Sequence, residues 1–81
     1  MKHIPGNYKI PEMFPKSTSF PGAYKVTNLT DELLFLKLYT PTNTFWDSGL
    51  SGNDSVCLYL EEGQYLKVTK TVEIVPFDPE G

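Results

Sequence analysis

The sequence predicts a small, mainly-β domain: an antiparallel sandwich or barrel of five to six short strands, preceded by an extended, proline-rich N-terminal arm. Three observations lead there. Apolar and polar residues alternate in short runs separated by Gly, Asn, Asp and Ser, which is the period of half-buried strands. Pro5, Pro11, Pro15 and Pro21 recur through residues 1–22 and oppose both a long helix and a central strand there. The chain has 81 residues, 40% hydrophobic and 14% aromatic, enough for one core and too few for a second domain.

Between the prolines of residues 1–22 stand Ile4, Tyr8, Ile10, Met13, Phe14 and Phe20, too many apolar groups for a solvated tail. This segment reads as an arm packed on its own body or on a neighbouring subunit. Ile4, Tyr8, Ile10, Phe14 and Phe20 are its candidate anchors, and Tyr8 to Ile10 a short edge strand. The β domain then occupies residues 23–81. Tyr24 and Val26 alternate with Lys25 and Thr27 as in a half-buried strand, and Asn28 to Glu32 supplies turn chemistry. Leu33 to Tyr39 is nearly all apolar and stops before Pro41. It reads as a strand buried on both faces, with a short helix capped by Thr30 or Asp31 as the alternative. Residues 40–55, rich in Gly, Ser, Asn and Asp, read as a loop. Val56 to Leu60 and Gln64 to Lys70 flank Glu61-Glu62-Gly63 and read as a hairpin, with Gly63 free to take a positive φ. Val72, Ile74 and Val75 form a last strand, ended by Pro76 and Pro79.

Charge narrows the function classes. The net charge is −3, and all seven basic residues are lysines. An acidic chain without arginine lacks the planar fork that reads phosphate and guanine, so nucleic acid is not an expected partner. Residues 1–40 carry five lysines against three acids, and residues 41–81 two lysines against seven acids. That split allows a basic arm to lie on an acidic body, in the same subunit or the next. No stretch reaches the roughly 20 apolar residues that span a bilayer. The start lacks the apolar core of a signal peptide, so a cytoplasmic location is expected and a membrane is not. Asn28-Leu29-Thr30 and Asn53-Asp54-Ser55 match the glycosylation pattern and are read as chance.

Catalysis is not expected. His3 is the single histidine and reads as an ordinary terminal residue, and Cys57 reads as a packed small hydrophobe within a strand. Glu61 and Glu62 read as a solvated turn rather than an acid–base pair. One histidine and one cysteine support neither an intrachain disulfide nor a His/Cys metal site, and no cofactor is expected. Gly49-Leu50-Ser51-Gly52-Asn53-Asp54-Ser55-Val56 resembles one turn of the calcium-binding nonapeptide repeat of RTX proteins. Apart from that match, Asp47, Asn53 and Asp54 are side chains with oxygens to offer a cation, since calcium takes about six to eight oxygen ligands. Those repeats bind calcium between stacked copies, however, and this chain has one, so no metal is assigned.

Phe45-Trp46-Asp47, inside the long polar segment, asks for an explanation, because exposing large aromatics wastes apolar area. Trp46 closes the open end of the barrel, or Phe45 and Trp46 anchor a partner, or Trp46 stacks on a sugar or base. In the last two cases Phe45, Trp46, Asp47, Asn53 and Asp54 form the candidate binding site. A core this small, an apolar arm and aromatics in a loop together point to a non-catalytic interaction or structural module that associates with itself or another protein. A virion component or an inhibitor of a host factor, of viral or mobile-element origin, suits that style of chain. The alternative is a small-ligand binder for a carbohydrate or nucleotide-like metabolite, using residues 40–55.

Overall fold

The computed structural model describes residues 1–12 and 14–77. Met13, Pro79 and the charges of Asp78 and Glu80 lie outside the described residues. The strands are β1 (Lys2–His3), β2 (Gly6–Lys9), β3 (Gly22–Asn28), β4 (Leu34–Tyr39), β5 (Thr44–Leu50), β6 (Ser55–Leu60), β7 (Tyr65–Val68) and β8 (Val72–Pro76). They form two antiparallel four-stranded sheets, β1-β8-β3-β6 and β2-β7-β4-β5. The pairing is nested: β1 with β8, β2 with β7, β3 with β6 and β4 with β5. The chain therefore behaves as one long folded-over hairpin rolled into a sandwich, which is the jelly-roll strand order.

The β class is as the alternation predicts, but the strand count is eight. The additions are β1, from the arm, and β5, from the segment read as a loop. Eight apolar side chains among the described residues are fully buried in the core, Ile10, Val26, Leu34, Leu36, Leu60, Leu66, Val72 and Ile74. Each such side chain contributes roughly 1.5–3 kcal/mol of transfer free energy. β4 is a strand and not a helix, but it is buried on one face only. Leu34, Leu36 and Leu38 point inward, while Phe35 remains 59% exposed on the outside.

Glu61 to Gln64 is not a hairpin turn. β6 lies in one sheet and β7 in the other, so these residues arch between the layers. Gly63 does take a positive φ of 91°. The arch is tied to the N-terminal segment by Ile10 N–H donating to the Gln64 carbonyl (2.8 Å) and Gly63 N–H donating to the Ile10 carbonyl (2.9 Å). The one hairpin joining successive strands within a sheet, among the described residues, is β4–β5.

Within residues 1–12 and 14–22, the strands and apolar groups pack on the same chain's body. β1 and β2 extend the two sheets, and Tyr8 and Ile10 belong to the core. A ring ladder continues the packing, His3 to Phe14 to Phe20 to Tyr24, with centroids 5.0, 5.2 and 5.3 Å apart. His3, read from sequence as a terminal residue, is buried, with its ring also 5.0 Å from that of Tyr8. Of the five candidate anchors, only Ile4 is left in solvent, 69% exposed.

The other end of the molecule is organised around Asn28, a fully buried polar side chain at the end of β3. Its amide donates to the carbonyls of Glu32 (2.7 Å), Leu50 (3.1 Å) and Ser51 (3.2 Å). Its Oδ1 accepts from Thr30 N–H (3.0 Å) and from the Thr30 hydroxyl (2.8 Å). One asparagine thus holds together the β3–β4 and β5–β6 connections through a single buried side chain. The second connection needs its glycine: a Cβ on Gly52 would lie 2.5 Å from the Asp31 carbonyl carbon.

Candidate interaction surface

The candidate residues 45–54 do not converge on one pocket. Phe45, Trp46 and Asp47 lie on β5, where successive side chains point to opposite faces. Trp46 is paired with Leu38, on the inward-facing side, and Asp47 with Lys37, on the outer face. Phe45 is the extra residue of a bulge, where the register shifts between Leu38 and Tyr39. Asn53 and Asp54 sit beyond the far end of the strand, which runs about 13 Å further from Trp46 to Leu50 at the usual strand rise. Asn53, at a left-handed φ of 65°, serves the turn: its N–H donates to the Thr30 carbonyl (2.9 Å). The Asp54 carbonyl accepts from Asn28 N–H (2.9 Å). Among the described residues no three of His, Cys, Asp and Glu come together as metal ligands. The two shallow clefts of note, about 370 and 390 Å³, both lie against Met1 and Pro15 and not beside β5.

The structure instead brings together two sheet edges. β1 and β6 are the edges of one sheet, and β2 and β5 those of the other. β1 has two residues, and β2 has four, bracketed by Pro5 and by the cis Ile10-Pro11 bond. Shortness and flanking prolines are the devices by which proteins keep edges from recruiting another strand. The opposite side lacks them. β5 has seven residues, no proline or lysine, and Asp47 as its one charge. β6, Ser-Val-Cys-Leu-Tyr-Leu, has neither charge nor proline. Residues 51–54 join the two strands, so both open edges lie on the same side of the sandwich. Phe45 (53%), Trp46 (36%) and Tyr59 (58%) are exposed along them. Cys57, expected to be packed, is exposed too: its side chain stands on the outer face, across from Lys25. Its run of apolar neighbours hid the alternation of Val56, Leu58 and Leu60 inward against Cys57 and Tyr59 outward.

A second surface covers the outer face of the sheet containing β4. Lys37 is the cross-strand neighbour of Lys67, and Tyr39 of Tyr65. The tyrosine rings stack at 5.5 Å, with Lys9 and Lys37 ammonium groups 6.0 and 5.0 Å from the two ring centres. Asn7 donates to the Tyr39 hydroxyl (2.7 Å). Three lysines thus share a face whose one acid, from the strand pairing, is Asp47. Like charges directly opposite each other cost stability.

Comparison with known proteins finds no family model, curated protein or solved structure that matches this chain. No helix among the described residues is long and apolar enough to cross a membrane.

Proposed function

We propose that this chain is a non-catalytic interaction module that associates through its β5/β6 side, with protein as its partner. The observation that carries the reading is the asymmetry of the edges: short and proline-flanked on one side, long and nearly uncharged on the other. An unpaired edge offers a row of backbone donors and acceptors, and β-strand addition uses such rows for recognition. Phe45, Trp46 and Tyr59 add aromatic groups of the kind that dominate interface energetics. Jelly rolls occur in viral capsid domains and in lectins, an analogy of fold that keeps a virion role in view without choosing it.

The test is the mass in solution of the wild type and of Ser48→Lys/Tyr59→Lys, which places a lysine on an exposed position of each open edge. The wild type is expected at a multiple of its 9.2 kDa chain mass, or in a complex with a protein. The double variant is expected as a folded monomer by circular dichroism. A wild type that stays monomeric and captures no protein removes this reading.

The lysine–tyrosine face favours a second one, in which the protein binds a small anionic ligand such as a nucleotide-like metabolite. Lys37 and Lys67 would then gain the counter-charge that their pairing lacks. Calorimetric titration with nucleotides at low salt decides: saturable binding lost in Lys37→Gln/Lys67→Gln supports it, and no heat of binding removes it.

A further inference from the structure

We infer that the partner of the open side is a second copy of this chain, joined by antiparallel pairing of β6 with β6 about a twofold axis normal to the sheets. The inference rests on the interaction-module reading and adds the occupant and the geometry.

The choice of β6 over β5 follows from what each edge carries. A bulge twists an edge away from further pairing, and β5 has one at Phe45. β5 also holds Asp47, which a twofold centred on it would set against its own copy. β6 has six regular residues, no bulge against β3 and no charge to oppose when it meets itself. A small sandwich gains most by joining its layers end to end, because its own core is close to the minimum that folds alone. Two copies of a neutral strand also need no charge complement from a foreign partner.

Parity then limits the register. In a continuous sheet, paired residues point to the same face, so an outward residue must meet an outward one. Cys57 and Tyr59 point outward; Val56, Leu58 and Leu60 point inward. Central twofold registers that keep most of the strand paired are therefore two. One centres on Cys57, pairing Val56 with Leu58 and Ser55 with Tyr59. The other centres on Leu58, pairing Cys57 with Tyr59 and Val56 with Leu60. Either places Cys57 within one residue of the axis: directly opposite its mate in the first register, and two residues along from its mate on the same face in the second. The same axis passes through the second layer, about 10 Å away. There it brings the two β5 edges face to face, so Trp46, now 36% exposed on the inward side, is buried between the copies. The product is a sandwich with one eight-stranded sheet across both molecules.

Cys57, the chain's one cysteine, makes the geometry directly testable. In the Cys57-centred register a mild diazene oxidant converts the two facing thiols to a disulfide, taking up their two hydrogens. In the Leu58-centred register a short bismaleimide bridges them. The expected result is efficient formation of a covalent dimer by one of these reagents at a protein concentration where the mass in solution is already dimeric. Diluting below the dissociation constant should abolish it, and Trp46 emission should shift to the red on that dilution. Cys57→Lys, folded by circular dichroism, should raise the dissociation constant ten-fold or more.

A dimer that neither reagent links and that Cys57→Lys leaves unchanged overturns this geometry. If Ser48→Lys/Tyr59→Lys still dissociates such a dimer, the open side remains the interface and only the β6 pairing falls. A wild type that is monomeric and free of other protein removes both.

Discussion

Asn28 offers the sharpest test of how this small sandwich holds its connections. Its side chain supplies two N–H donors to three carbonyls and accepts two bonds from Thr30. Replacing it with alanine removes about four hydrogen bonds, each worth about 1 kcal/mol net, and takes their partner from the two connections it ties together. The expected loss is therefore about 4 kcal/mol. A chain of this length has a total stability of roughly 4–12 kcal/mol. Asn28→Ala should be marginally folded or unfolded, as urea denaturation followed by far-ultraviolet circular dichroism would show. Asn28→Asp sharpens the point, because it keeps the shape and exchanges the donors for a carboxylate facing three carbonyl oxygens. Burial and those oxygens raise the folded-state pKa of such a group above its unfolded value. The folded state then binds more protons, so the variant loses stability as pH rises through the folded pKa and regains it as pH falls to the unfolded value. Wild type should not share that extra dependence. If Asn28→Ala costs less than about 1 kcal/mol, water or backbone adjustment satisfies those carbonyls and the side chain is not the hub described.

Two glycines should behave differently under the same substitution. Gly52→Ala drives a methyl group into the Asp31 backbone and should cost about 2 kcal/mol or more. Gly63→Ala meets nothing within 4 Å and carries only the strain of its positive φ, about 1 kcal/mol; equal losses in urea melts would contradict this. On the outer face, Lys67→Glu turns a repulsive neighbour of Lys37 into an attractive one. It should gain about 0.5 kcal/mol at low ionic strength, fading with added salt; a loss of thermal stability at low salt would count against the pairing.

The fold class was legible because β3, β7 and β8 alternate cleanly, with Tyr24 and Val26, Leu66 and Val68, and Val72 and Ile74 inward. β5 was not, for a physical reason. An edge strand with little cover from the other sheet has no need of an apolar stripe, and Thr-Phe-Trp-Asp-Ser-Gly-Leu shows none. Its glycine and serine made it look like a loop. The period of a strand also says nothing about which sheet it joins. Leu58 and Leu60 point inward whether β6 and β7 form a hairpin or an arch, and the long-range ties of Ile10 to Gly63 and Gln64 settle the arch. The candidate aromatics at 45–46 were visible in sequence, but Asn53 and Asp54 are committed to turn geometry. The exposure of Cys57 and Tyr59 required knowing which face of β6 meets the core.

The strand order also dictates a schedule. β7 lies between β2 and β4, and β8 lies between β1 and β3, so the last strands made occupy central places in both sheets. A nascent chain can close the β4–β5 hairpin and pair β3 with β6, yet β1 and β2 have nothing to join until residues 65–76 emerge. Long-range pairing of this kind is slow, and incomplete chains show raw strand edges while they wait. A product that stops before Tyr65 would therefore leave β1, β2, β3 and β4 each without a neighbour that the finished molecule supplies, in addition to the open β5 and β6 edges. Premature termination would turn this domain into an aggregation seed rather than a weakened copy of itself.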